Sequence, residues 1–149
     1  MAIVRLNYAH DLRYGVLTDL AVRIVNDEPI DLRMSCVNVI WQGDANALAL
    51  AALTRATSPE PYVLNVAGRE APCVEDLANA LGQRLGKTPT FTGQAAPDSL
   101  LSNSSRMQEL LGDPLLSIDT LLDWVAEWVR NDGRLLGKPT NFERRDGQF

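Results

Sequence analysis

The residues able to do chemistry in this chain gather at the ends of short apolar segments. Asn7-Tyr8-Ala9, Gln42-Gly43-Asp44 and Ala67-Gly68-Arg69 each close such a segment. In open α/β sheets, ligands settle in the crevice beyond the carboxyl ends of the strands. Asn7 and Asn65 bring amides that both donate and accept hydrogen bonds. Arg13 and Arg69 bring guanidinium groups suited to phosphate or carboxylate. Taken singly, each arginine is an ordinary solvated cation. Their shared placement at strand ends is what argues for binding.

Self-sufficient catalytic patterns are absent. The sequence has no G-x-G-x-x-G, no Walker loop, no H-E-x-x-H and no G-x-S-x-G. Neither Tyr8 nor Tyr14 has a lysine four residues later. A lone tyrosine, with a pKa of about 10, needs a nearby cation to act as a base. No residue is assigned a catalytic role. The single histidine, His10, lies in the polar run His10-Asp11-Leu12-Arg13 and is expected at the surface. The two cysteines, Cys36 and Cys73, have neither zinc spacing nor a secreted disulfide pattern. They are expected to be small core-type residues kept reduced, and no metal site is expected.

Composition narrows the partners. Fourteen Lys+Arg face nineteen Asp+Glu, a net charge of -5. That balance argues against nucleic acid, whose affinity rests on clustered cations. With 46% hydrophobic and 22% charged residues over 149 positions, the chain has the make-up of one soluble domain. The apolar run 45–53 falls far short of the roughly 20 residues a membrane span needs. With no basic-then-apolar leader, the cytoplasm is the expected compartment.

The positioning elements follow from periodicity. Residues 3–8 form an apolar run typical of a buried strand. Val16, Leu17, Leu20, Ala21 and Ile24 mark one face of a helix over 16–26. Alternation of Val37, Val39 and Trp41 predicts a strand over 36–41. Asp44 is expected to cap a helix over 45–57. A third strand spans 62–66. A helical stripe through Val74, Leu77, Ala78, Leu81 and Leu85 then ends at Gly86. A loop covers 93–97 and a short helix 104–111. Ser117 is expected to cap a last helix, with Trp124 and Trp128 packing beside its apolar stripe. Residues 135–149 read as a polar tail. Strand, turn and helix recur three times, which points to an α/β architecture with parallel strands.

Four segments, in order, resemble the second half of the NAD-dependent epimerase/dehydratases of the extended short-chain dehydrogenase/reductase family. Arg5-Leu6-Asn7-Tyr8 with Tyr14-Gly15 is similar to the family's late Rossmann strand and Tyr-Gly turn. Val37-Asn38-Val39 with Asp44 resembles its Val-His-Val…Asp segment, although Ser35 and Cys36 stand where an arginine is common. Tyr62 to Gly68 resembles its Tyr-Asn-Val-Gly strand and turn. Arg106 with Leu110-Leu111-Gly112 and Pro114 resembles its Leu-Gly-x-x-Pro stretch.

The resemblance implies late strands of a Rossmann-like parallel sheet plus the small C-terminal substrate-binding subdomain. Residues 1–149 would form a single domain, the substrate-binding portion, lacking the N-terminal dinucleotide-binding half and its Tyr-x-x-x-Lys pair. It further implies NAD or NADP in the complete enzyme, with none bound by this chain alone, and a nucleotide-sugar-like substrate. Asn7 and Tyr8 would approach the cofactor, while Arg13, Asn38, Asn65 and Arg69 would serve the substrate. The alternative is a non-catalytic module that associates with an N-terminal partner half or with a second copy of itself.

Overall fold

A strand that is apolar on both faces has to be covered on both, and the first segment of the chain shows only half of that coverage. In the computed structural model, which describes residues 1–144, strand β1 (Ala2–Leu6) pairs in parallel with β5 (Tyr62–Val66), in register from Ala2↔Tyr62 to Leu6↔Val66. Its other edge has no partner strand among the described residues, and Ile3 and Leu6 are 38% and 54% exposed. Between them in sequence come β2 (Ala9–His10), α1 (Val16–Val25), β3 (Ile30–Asp31), β4 (Ile40–Trp41) and α2 (Gln42–Ala52). After β5 come α3 (Val74–Leu85), β6 (Phe91–Thr92), α4 (Ser105–Leu111) and α5 (Ile118–Arg130). The short strands also pair in parallel, β2 with β4 and β3 with β6. The expected class holds: a mixed α/β fold with the parallel strands of a partial Rossmann-like sheet.

The amphipathic helices pack as their stripes require. α1, α3 and α5 contact one another over a core that includes Leu17, Leu20, Leu77, Leu81, Leu122 and Val125. A second core gathers Ile40, Leu48, Leu64, Val66 and Met107, where α2 and α4 cover β5. Gly86 ends α3 at φ 69, the left-handed geometry that favours glycine. Ser117 caps α5, its Oγ accepting the Thr120 N–H at 3.1 Å. No helix among the described residues is long and apolar enough to cross a membrane.

Four expectations are corrected. Over 36–41 only Ile40 and Trp41 form a strand. Val37, Asn38, Val39 and Ile40 are all buried, so the alternation marked no exposed face. Helix α2 starts at Gln42, which places Asp44 inside its first turn instead of at the cap. The Asp44 carboxylate accepts the Leu116 N–H at 2.9 Å, tying α2 to the segment before α5. The helix also stops at Ala52, tightening into a single turn over Leu53–Arg55. Finally, the polar tail is partly core. Phe142 is 1% exposed among residues of the first cluster, and the Thr140 N–H donates to Asp19 at 3.0 Å. Residues 145–149 of that tail lie outside the described residues.

Candidate functional site

Because β1 and β5 run parallel, their carboxyl ends open on the same side. Asn7 and Asn65 therefore lie near one another, and the Asn7 N–H extends the ladder to the Val66 carbonyl at 3.1 Å. The Asn7 amide donates to Asn38 Oδ1 at 2.7 Å, and Asn38 Nδ2 donates in turn to the Ser102 carbonyl at 2.7 Å. Asn65 Nδ2 donates to the Asn103 carbonyl at 3.0 Å. Ser104 Oγ donates to the Gly68 carbonyl at 3.2 Å. Asn38 and Asn65 thus each anchor the loop before α4, and Asn7 braces Asn38. Asn38, buried and bonded through both amide atoms, is committed to that network. Sequence reasoning left Ser102 and Asn103 unassigned and placed Ser104 only at the start of a short helix. A run of short polar side chains without periodicity was the only sign of them.

Gly68 lets this end of the sheet close. A Cβ there would stand 2.1 Å from the Val39 carbonyl oxygen, so only glycine allows the backbones to approach. The turn delivers Arg69 to the wall of a cavity of about 240 Å³, opposite Asp113 and bordered by Trp41, Pro72, Leu116 and Ile118. Arg69 Nη1 meets Asp113 Oδ2 at 2.7 Å, and both side chains are largely in solvent. Such a solvent-exposed pair contributes little to stability. The Asp113 side of this cavity belongs to the Gly112-Asp113-Pro114 turn, which sequence reasoning noted without giving it a role.

The other predicted residues stand apart. Arg13 grips Asp11 through Nε at 3.0 Å and Nη2 at 2.9 Å, and lines a second cavity of about 260 Å³ with Asp19 and Arg23. This partner holds the Asp11 carboxyl below its ordinary value, chiefly through the side-chain hydrogen bond. Tyr8, at φ 44, borders a third cavity with Tyr14 and Thr140. Burial, and then the charge of Glu143, raises its phenol pKa, so at neutral pH it is a donor and not a base.

His10 overturns its surface assignment. It is fully buried, and burial lowers its pKa to about 4, with Asp11 opposing in part. The Thr18 hydroxyl donates to the Leu12 carbonyl at 3.1 Å, which leaves its oxygen to accept from His10 Nε2 at 3.4 Å. The ring therefore carries its proton on Nε2, and Nδ1 faces Gly15 without a partner among the described residues. The polar neighbours that suggested a surface loop, Asp11 and Arg13, satisfy each other outside. Among the described residues no cluster of three or more His, Cys, Asp or Glu is placed to hold a metal ion.

No protein-family model matches the chain, and no curated protein matches it. Solved structures do, with the partial Rossmann-like fold of nucleotide-sugar epimerases, the chain corresponding to their C-terminal part. The UDP-glucuronic acid 4-epimerase of Bacillus cereus, solved with UDP-glucuronic acid and NAD, superposes with a TM-score of 0.70 at 18% identity, over 87% of this chain. The UDP-glucose 4-epimerase of Thermus thermophilus, solved with NAD, gives 0.65 at 18% identity over 85%. That of Thermotoga maritima, solved with UDP-glucose, gives 0.63 at 19% over 88%. The chain spans less than half the length of each: 45%, 45% and 46%.

Proposed function

We propose that this chain is the substrate-binding portion of an NAD(P)-dependent epimerase/dehydratase-type oxidoreductase or isomerase acting on a nucleotide-sugar-like substrate. The observation that carries this reading is the fold likeness to three UDP-sugar epimerases across most of this chain and under half of theirs. Arg69 is the group offered to the substrate's phosphates, released from Asp113 at little cost. Trp41, Leu116 and Ile118 give the same cavity apolar walls for a ring. Arg13 lies outside this cavity, on the wall of a separate one.

The described residues do not fit a dinucleotide as a whole. A pyrophosphate needs glycines that leave backbone N–H groups open at a helix start. Here the space beside Gly15 is filled by the His10 ring and that beside Gly68 by Val39, each within 2.1 Å of where a Cβ would be. No chemical step is therefore assigned to the chain. The cofactor would be held by another portion of polypeptide, with Asn7 and Tyr8 at its edge.

Calorimetric titration tests the reading. UDP-glucose and UDP-glucuronic acid should bind while free glucose does not, and Arg69→Ala should weaken binding about tenfold or more, the worth of a charge-assisted bond. Absence of binding up to millimolar nucleotide sugar would remove the proposal. The free edge of β1, with Ile3 and Leu6 exposed, favours a second reading: a module that pairs with another chain or with itself. Light scattering at micromolar concentration should then report a dimer or larger species, and a clean monomer would count against self-association.

A further inference from the structure

The sequence contains only two cysteines, 37 positions apart, and the fold places them against each other. Cys36 Sγ and Cys73 Sγ lie 3.4 Å apart. The backbone explains the contact. Cys36 and Cys73 form an isolated antiparallel bridge, flanked by the Val37 N–H to the Pro72 carbonyl at 3.2 Å and the Val74 N–H to the Ser35 carbonyl at 2.8 Å. With hydrogen bonds on the flanking residues, the two cysteines themselves are the non-hydrogen-bonded pair. That is the register in which Cα atoms approach to about 4.5 Å and side chains come closest. Disulfides span Cα separations of about 4.4–6.8 Å, so the backbone already stands at a compatible spacing. Closing the sulfurs to bonding distance takes about 1.4 Å more, within reach of side-chain rotation. Cys73, at the exposed start of α3, is open to solvent, while Cys36 is half-buried behind it.

We propose that Cys36 and Cys73 are a redox modification site that closes to an intramolecular disulfide when the chain meets a peroxide. The Cys73 thiolate attacks one peroxide oxygen: an S–O bond forms, the O–O bond breaks, and the second oxygen leaves as hydroxide, taking a proton to become water. Cys36 then attacks the resulting sulfenic sulfur. The S–S bond forms, the S–O bond breaks, and the departing hydroxide takes the Cys36 thiol proton as a second water. Two thiols are oxidised by two electrons and one peroxide is reduced to two waters. Small dithiols reverse the step.

The bond acts on the candidate site. Asn38, which anchors the loop before α4, follows Cys36 by two residues, and the cavity-wall residues Val39 and Pro72 lie on opposite strands of the bridge. A disulfide fastens these two wall segments together.

Treatment of the full chain with one equivalent of hydrogen peroxide, under dilution, tests this. The expected product is a monomer lighter by about 2 Da, with both thiols lost to thiol reagent and restored by dithiothreitol. Its melting temperature should rise by roughly 5–15 °C, since the link closes a long loop. Cys73→Ser, a change at an exposed position, should keep the fold, retain its Cys36 thiol through the treatment and show no rise. Cys36→Ser should instead accumulate sulfenic acid on Cys73, about 16 Da heavier, for want of a resolving thiol. Sulfenic acid persisting on Cys73 of the unaltered chain with Cys36 still free, or disulfide-linked dimers in place of the closed monomer, would overturn the proposal.

Discussion

His10 gives the chain a titration that can be followed on its own. Burial of the ring beneath Gly15 brings its pKa from 6.5 to about 4, the Asp11 carboxylate opposing only in part. The folded chain thus keeps the imidazole neutral where the unfolded chain protonates it. Below pH 6.5 the unfolded state binds a proton that the folded state refuses, so stability falls as pH drops towards about 4. The contribution is complete above the unfolded pKa. Its loss approaches about 1.4 kcal/mol per pH unit within that window and accumulates to about 3 kcal/mol across it. Urea unfolding at steps from about pH 7.5 to about pH 4, for the natural chain and for His10→Gln, isolates this contribution from the carboxylates that titrate at the acid end. The natural chain should show the steeper decline, and the two curves should run parallel above about pH 7. As the only histidine, His10 also yields one assignable ring-proton resonance, expected to hold its neutral shift down to about pH 5. A resonance that titrates near 6.5 in the folded chain, with both unfolding curves falling together, would refute the burial argument.

Three further expectations rest on packing. Leu64→Ala, at a position 1% exposed in the centre of β5, should cost about 2–5 kcal/mol, and an unchanged denaturant midpoint would place that strand outside the core. Phe142→Ala should cost about 3–5 kcal/mol, whereas Leu115→Ala at a fully solvated position should stay within about 0.5 kcal/mol. Equal effects from the two would show that the tail does not seal the first core. Gly68→Ala should destabilise by about 1–3 kcal/mol through collision with the Val39 carbonyl and should also weaken nucleotide-sugar binding; unaltered melting and affinity would mean that the turn opens freely.

The elements that were legible in the sequence are those with one buried face and a marked end. α1, α3 and α5 declared themselves through stripes at helical spacing, and Gly86 and Ser117 sit where their stops and starts require. The stretch before Trp41 misled because both of its faces are buried, so alternation carried no information about exposure. Two-residue strands such as Ile30–Asp31 and Phe91–Thr92 are too short to show any period. Of the site, Asn7 stood out at a strand end and Asn65 within the 62–66 strand, while Asn38 entered only through the family resemblance; that Asn38 and Asn65 hold one loop was not legible. The cavity beside Arg69 was hidden because its other wall comes from the turn around Asp113, 44 residues further on. The buried histidine was hidden because its burial depends on what Gly15 lacks, and the thiol pair because nothing in the spacing of Cys36 and Cys73 reveals a bridge between a loop and a helix start.

The grip of α1 on the far end of the described chain bears on the order in which the molecule assembles. Asp19 holds Thr140 and Arg23 holds Glu143, across separations of 121 and 120 residues. β1 must likewise wait for β5, sixty residues on, before any of its ladder can form. Contacts this distant delay the reward for closing a loop, and they slow folding relative to a chain held by local contacts. The core of α1, α3 and α5 also joins distant parts of the chain, and its hydrophobic seam stays open until Phe142 arrives. Until then the unfinished chain presents that seam together with the bare edge of β1, which makes the interval before the last contact closes its most aggregation-prone moment.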